Sequence, residues 1–371
     1  MSIFHRFRRT RKRRHDYIIV FCTLFLVAAG LVMLASASSN LGQLRFGDSY
    51  YYLKHQIFFG LSIGLLGFFL ASNIYYRYLE KFSIILLLAN ILLLLLVFTD
   101  LGIRAGGADR WLQLGPISFQ PSELLKITAV VYLAAWFSRR KERIMSFAKG
   151  LLPPVLIIGF IVYILFKQPS TSSAIILAVI SIIIYFASGA KLSHISILAL
   201  VGLIAFGSII YLTPYRWERV QAFLNPDENQ LSTTYHINQT LIAIGNGGMF
   251  GTGYGQSTIK VHYLPEPIGD SIFAVIAEEL GFAGVIAIIG AFLILVARTL
   301  FIAAKAQSKF GQLLLAGFGS LIAIQTFINI ASVSGVIPLT GAPLPFISFG
   351  GTALAIFMVI AGIINNVSRY S

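Results

Sequence analysis

The chain has 371 residues, 57% of them hydrophobic and only 11% charged, with a formal net charge of +14. That composition excludes an ordinary soluble domain and leaves a polytopic membrane protein. The positive balance falls largely in short runs between apolar stretches. It therefore reads as a topology signal and argues against a nucleic-acid role.

Residues 1–16 form a basic N-terminal tail containing "HRFRRTRKRRHD", whose charge suits the anionic surface of a membrane. The apolar segment behind it is too long for a cleavable signal peptide and lacks a small-residue cleavage site. About ten stretches then approach the roughly 20 residues needed to cross a hydrocarbon core. They lie near 17–37, 57–73, 82–99, 122–138, 151–167, 172–189, 192–212, 271–297, 311–336 and 346–366. The predicted fold is thus all-α, a single bundle over residues 17–371, with a large loop at 213–270 between spans 7 and 8. The single cysteine, Cys22, lies in the first span as a small core residue.

Short cytoplasmic loops collect Lys and Arg. With the N-terminus inside, about 19 of the 28 basic residues fall on that side. They include Arg77, Lys81, the "SRRKER" run, Lys149, Lys191, Arg298, Lys305, Lys309 and Arg369. Both termini are expected in the cytoplasm, and the polar loops at 100–121, 213–270 and 337–346 are expected outside. Within the second of these, "TYHINQTLIAIGNG" reads as a short helix or re-entrant element.

Acidic residues at membrane depth are costly, by roughly 2.5–3.5 kcal/mol on insertion scales, and usually serve a function. Asp270 stands at the head of the eighth span, with Glu278 and Glu279 two turns deeper. The latter two fit either a proton path or bonds to polar groups on neighbouring helices. Glu123 and Lys126, in "QPSELLK" at the entrance of span 4, share one helix face and can pair. That pair either lets two charges enter the membrane cheaply, lines a cavity for an anionic or sugar-bearing substrate, or does both.

The glycine run "GNGGMFGTGYG" lacks the preceding strand and βαβ order of a dinucleotide site. It reads as a bent loop whose amides can form an anion-binding nest. Gly60 and Gly64 permit close helix packing. The six histidines show no metal-ligand spacing.

Four segments in order, "GADRWLQLGPISFQPSELLKITAVVYLAAW", "YHINQTLIAIGNGGMFGTGYGQS", "LPEPIGDSIFAVIAEELG" and "PLPFISFGG", resemble the FtsW/RodA group of SEDS (shape, elongation, division, sporulation) proteins. The resemblance covers nearly the whole chain and leans toward the division branch. It implies a peptidoglycan glycosyltransferase of the bacterial cytoplasmic (inner) membrane, polymerising lipid II on the outer face into β-1,4 glycan strands. Undecaprenyl diphosphate is then released. It also implies a class B penicillin-binding transpeptidase and divisome regulators as partners.

The family's catalytic acid maps onto Asp270, and its acid and base of the "QPSELxK" segment map onto Glu123 and Lys126. In that reading Asp270 is the general base for a sugar hydroxyl. Arg110 and Lys126 meet the diphosphate, where an arginine can bond two oxygens at once. His236, Asn238 and Gln239 are candidates for sugar or peptide binding. A hydrated Mg²⁺ held by carboxylate and phosphate is a possible cofactor.

The chain departs from the family pattern in three places. Residues 168–174 read QPSTSSA where a carboxylate is common, Ile268 and Gly269 replace the histidine and threonine before the base, and Phe349 stands where a tyrosine is common. A histidine near the base is therefore expected to be missing. The alternatives are a lipid II flippase, an ion-coupled transporter using Glu278 and Glu279, and a non-catalytic divisome scaffold. The transporter reading calls for paired broken helices in matching halves, which the sequence does not suggest.

Overall fold

The computed structural model describes residues 15–105, 108–114, 117–138, 146–224, 233–262 and 264–371. Residues 1–14 of the basic tail, most of the "SRRKER" run and the "NPDENQ" segment lie outside them. Eight helices are long and apolar enough to cross a membrane: α1 (Tyr17–Phe46), α2 (Tyr51–Asn73), α3 (Arg77–Leu96), α5 (Phe147–Lys167), α7 (Leu192–Tyr211), α11 (Ile272–Lys305), α12 (Lys309–Val333) and α13 (Gly351–Ser368). Two more of 17 residues, α4 (Pro121–Phe137) and α6 (Thr171–Ala187), bring the described set to the expected ten. The protein is an integral membrane protein.

Burial sorts these helices. Nearly every side chain of α4 is buried, Glu123 and Lys126 included, and α12 is similarly enclosed. Gly317 of α12 lies against α4 and α6, where a Cβ would stand 2.6 Å from Val130. By contrast, α7 has no buried residue and presents Leu200, Leu203 and Ile204 outward. Such a face suits the hydrocarbon of a bilayer. Gly60 and Gly64 pack α2 onto α13, since a Cβ at Gly64 would meet Met358 Sδ at 2.5 Å. The GxxxG spacing thus serves contact within the chain. Cys22 is buried, as expected of a core residue.

The first described residues, His15 and Asp16, meet the C-terminal helix at one end of the bundle. Asp16 caps α1 by accepting from the Ile18 and Ile19 amides and pairs with Arg298 of α11 at 2.7 Å. Placing a carboxylate at a helix N-terminus is favourable, because its oxygens meet amides that lack helical partners. The other end carries the long loop, which folds into α8 (Pro214–Leu224), α9 (Thr233–Asn246) and α10 (Ile259–His262). Helix α9 matches the segment read as a short helix to within one residue at each end.

Two expectations need correction. The segment at 100–121 is an antiparallel three-stranded sheet, with β1 (Gly102–Ala105), β2 (Ala108–Leu114) and β3 (Ile117–Phe119) in that order. The last span starts at Gly351, whereas its apolar run suggested 346. Phe346 has φ 63° and lies within a turn, and Ile347 is buried against Gly30 of α1. These residues are apolar because they fill the core from a loop.

Helix α11 is broken at Gly281, whose φ 64° and ψ −166° take the backbone out of helical space. Unpaired backbone groups are expensive at membrane depth, and the glycine run repairs them. The Phe282 and Ala283 amides donate to the Gly248 and Met249 carbonyls, at 2.9 and 3.1 Å. In return, the Thr252 and Gly253 amides donate to the Glu278 and Glu279 carbonyls, at 2.9 and 3.1 Å. The loop comes so close that a Cβ at Gly281 would lie 2.2 Å from the Gly251 nitrogen. The run is therefore a plug completing a discontinuous helix.

The two glutamates below the site bond to neighbouring elements. The Glu279 carboxylate pairs with Lys260 at 2.5 Å and accepts from Ser36 of α1 at 2.7 Å and from the Gly255 amide at 3.0 Å. Glu278 accepts from Ser257. Of the two readings weighed for this pair, the structure displays the second.

Candidate functional site

Asp270 precedes the first half of α11, at the end of the bundle opposite the termini. Its backbone carbonyl accepts from Asn329 Nδ2 at 2.9 Å, and the same amide reaches Ala342 O at 2.8 Å. One buried side chain of α12 thus ties Asp270 to the turn before α13. Ser348 adds a second tie, donating to Gly269 O at 2.8 Å while accepting from the Leu344 amide. Phe349 N donates to Ile268 O at 2.8 Å. Gly341, at φ 69°, lies so near that a Cβ there would stand 3.1 Å from Asp270 Oδ2.

Electrostatics make this carboxyl unusual. Burial, reinforced by the charge of Glu266, pushes it up to about 6, against the opposing pull of Arg219 and Arg110. A group near neutrality is suited to taking and returning a proton.

Arg110 projects from β2 and donates to the carbonyls of Gln168, at 3.1 Å, and Pro169. Burial lowers its guanidinium pKa, with Arg219 acting the same way and Tyr215 and Asp270 opposing. Arginine nevertheless stays charged in proteins. Gln168, itself held by a bond to Leu94 O at 2.8 Å, shows what the 168–174 segment does here. Its backbone orients an arginine.

Arg219 of α8 donates to Leu339 O at 2.9 Å and to the Tyr215 hydroxyl. With Arg216 it lines a cavity of about 230 Å³ between α6, α7, α8 and residues 337–340. Arg219 is not among the residues singled out from the sequence. The available signal was Arg216 and Arg219 at helical spacing behind Pro214, in a segment read only as loop.

His236 of α9 meets Ser271, next to Asp270, with Nε2 2.6 Å from the hydroxyl. This corrects the expectation of a missing histidine, because the ring arrives from a different element. Burial, with Arg219 nearby, lowers its pKa to about 4. Gln239, one turn on, is half-buried, whereas Asn238 is exposed.

Glu123 and Lys126 form a closed pair, with Nζ 2.7 and 2.8 Å from the two carboxylate oxygens and the ammonium 5.4 Å from the Phe357 ring centre. The structure therefore brings Arg110 and Arg219 within electrostatic reach of Asp270 and His236 against the adjoining Ser271, while Glu123 and Lys126 pair with each other within α4. The side chains of Arg104 and Asp109 lie outside the described residues. Among the described residues no group of three His, Cys, Asp or Glu side chains is placed to hold a metal ion. Glu266, whose charge reaches Asp270, is the carboxylate beside the base that suits a Mg²⁺ shared with substrate phosphates.

Fold and site together define an integral membrane protein with a polarised carboxylate and two arginines at the head of a broken helix. The family model for the FtsW, RodA and SpoVE cell cycle proteins matches residues 16–371, and the chain belongs to that family. It is 37% identical to stage V sporulation protein E of Bacillus subtilis (strain 168), over 98% of this chain and 99% of that protein. It is 38% identical to a probable peptidoglycan glycosyltransferase FtsW of Trichlorobacter lovleyi, over 96% and 94% of the two chains. Among solved structures it resembles a chain of a peptidoglycan synthase complex that coordinates polymerization and crosslinking, with TM-score 0.79, 28% identity and coverage of 96% and 98%. The rod shape determining protein RodA of Thermus thermophilus gives TM-score 0.71 and 27% identity, covering 96% and 97%.

Proposed function

We propose that this chain is a peptidoglycan glycosyltransferase that polymerises lipid II during cell division and cell-wall synthesis, with Asp270 as its general base. The observation carrying the assignment is the half-buried carboxyl, poised near pH 6 between two arginines. Family membership and whole-length likeness to FtsW and SpoVE proteins support the reaction class.

In this reading a sugar hydroxyl of the acceptor attacks the anomeric carbon of the donor. Its proton passes to Asp270 as the new C–O bond forms, and the bond to the diphosphate breaks. Attack opposite the leaving group converts an α linkage to β. One base suffices, because a diphosphate leaves without a proton once its charge is matched, unlike the leaving group of a glycosidase. Positioned general base catalysis contributes roughly 10²–10⁴ in rate.

Arg110 and Arg219 are the residues we assign to the diphosphate, since both approach Asp270 and arginine binds phosphate oxygens in pairs. Lys126 is a weaker candidate because Glu123 already matches its charge. Glu266 would hold a Mg²⁺ together with the substrate phosphates, which would supply further charge to the leaving group and leave the Asp270 carboxylate free to take the proton. The polar side of α9, with His236, Asn238 and Gln239, is assigned to sugar or peptide.

The distribution of basic residues supports placement in the bacterial cytoplasmic membrane, termini inside and Asp270 outside. The likeness to a complex that couples polymerization to crosslinking supports a class B penicillin-binding transpeptidase as partner, with divisome regulators around it.

The test is lipid II polymerisation by the purified protein, with and without its transpeptidase and Mg²⁺, for wild type and Asp270→Asn. Glycan strands from wild type only are expected. Equal polymer from both would remove Asp270 from the chemistry, and none from the wild-type complex would favour lipid transport or scaffolding.

A further inference from the structure

The hydrogen bonds around Ser271 decide which face of His236 is available. Ser271 Oγ lies 2.9 Å from the Pro265 carbonyl, which can only accept, so the single hydroxyl proton points there. The 2.6 Å contact with His236 Nε2 must then be filled by a proton on the ring nitrogen. In the neutral ring this leaves Nδ1 as a bare lone pair. Ser271 is fully buried and the histidine half-buried, so the relay is sheltered while part of the ring stays open. Burial and the neighbouring Arg219 keep the ring neutral, with a pKa of about 4.

We propose that His236 is a specificity-determining residue whose Nδ1 accepts a hydrogen bond from a saccharide hydroxyl brought to Asp270. The inference rests on the glycosyltransferase reading and refines it: it names the atom, the direction of the bond and the chemical group recognised. Two arginines select negative charge in this site and offer donors only. A fixed acceptor beside them reads the opposite feature, an uncharged O–H. Because Ser271 adjoins Asp270, the same contact sets the acceptor sugar against the base.

A site built to bond a hydroxyl discriminates against ligands that cannot engage it. Binding of lipid II to the full-length protein is measured in the Asp270→Asn background, where turnover is blocked. His236→Phe is expected to weaken binding about tenfold, the order for an unmatched buried hydrogen bond. His236→Asn, whose amide oxygen can take the place of Nδ1, is expected to retain most of the affinity. Selective ¹⁵N-histidine labelling should show one neutral ring protonated at Nε2 that vanishes in His236→Asn. Its Nδ1 resonance should shift when lipid II is added.

Unchanged affinity in His236→Phe overturns the proposal. So does equal loss in the Phe and Asn variants, or a ring protonated at Nδ1. If Asp270→Asn still polymerises lipid II, the general-base assignment fails. The binding comparison, then made with a lipid II analogue whose anomeric oxygen is replaced by carbon so that it cannot transfer, still reads His236.

Discussion

A carboxylate within range of two arginines would ordinarily be held below its usual pKa, but for Asp270 burial and the charge of Glu266 outweigh them. Activity that needs the ionised form should rise with pH and level off above about 6. A kcat/KM profile at constant Mg²⁺ checks this, and an acid limb near 4 would contradict it. Stability runs the other way. The folded carboxyl binds its proton more tightly than the unfolded one, whose ordinary value is 3.8, so its contribution is full below about 4 and lost as pH rises through about 6. Asp270→Asn should therefore match wild type in thermal midpoint at low pH and exceed it above 6. Gly341→Ala tests the geometry of the same group. A positive φ strains any side chain, and the added methyl would press on Oδ2. A displacement of even tenths of an ångström should lower kcat roughly tenfold with KM little changed. The carboxylate, Arg110 and His236 were all legible in the sequence as residue types. Arg219 was not, because its importance comes from α8 being a helix, anchored by Arg216 to Thr171 and Phe166 O, that turns the next arginine toward the site.

The broken helix is where sequence and structure diverge most at the level of elements. The glycine run and the glutamate pair were each visible, whereas Lys260 was not singled out, and the three take their meaning from one another. Discontinuity at Gly281 creates orphan amides and carbonyls, the glycines let the loop approach close enough to pair them, and Lys260 neutralises Glu279 while Ser36 donates to it. No local periodicity reports such a three-way closure. Among the described residues, the break also lacks the matched partner in a second half that alternating access would use. Its energetics are testable. Lys260→Met leaves Glu279 buried without its counter-ion, at a cost of about 3–5 kcal/mol, whereas removing both charges by Lys260→Met with Glu279→Met should recover most of the loss. Thermal melts in a fixed detergent form the cycle. Additive losses would mean that the pair is not coupled. The sheet was missed for a different reason: its strands are short, and it draws stability from packing at the mouth of the bundle, with β2 also carrying Arg110 to the Gln168 carbonyl.

At the scale of the whole molecule, charge distribution and architecture give one polarity. The described basic residues Arg298, Lys305 and Lys309 lie at the end where Asp16 meets α11, and the sheet, the long loop and Asp270 occupy the other. Ten spans were legible because each must offer a lipid-length apolar run. Their boundaries were less so, because apolar residues such as Phe346 and Ile347 also fill the core from turns. We assign the basic end to the cytoplasm, and that orientation decides whether Asp270 can meet a substrate displayed outside. In a Cys22→Ser background, a membrane-impermeant maleimide applied to intact cells should label Leu224→Cys, exposed on α8 beside the site. It should not label Gln307→Cys, exposed in the turn between α11 and α12, until the membrane is permeabilised. The reverse pattern would place the carboxylate and its arginines in the cytoplasm. Lipid II would then be handled before its translocation, and coupling to an extracytoplasmic transpeptidase would be impossible.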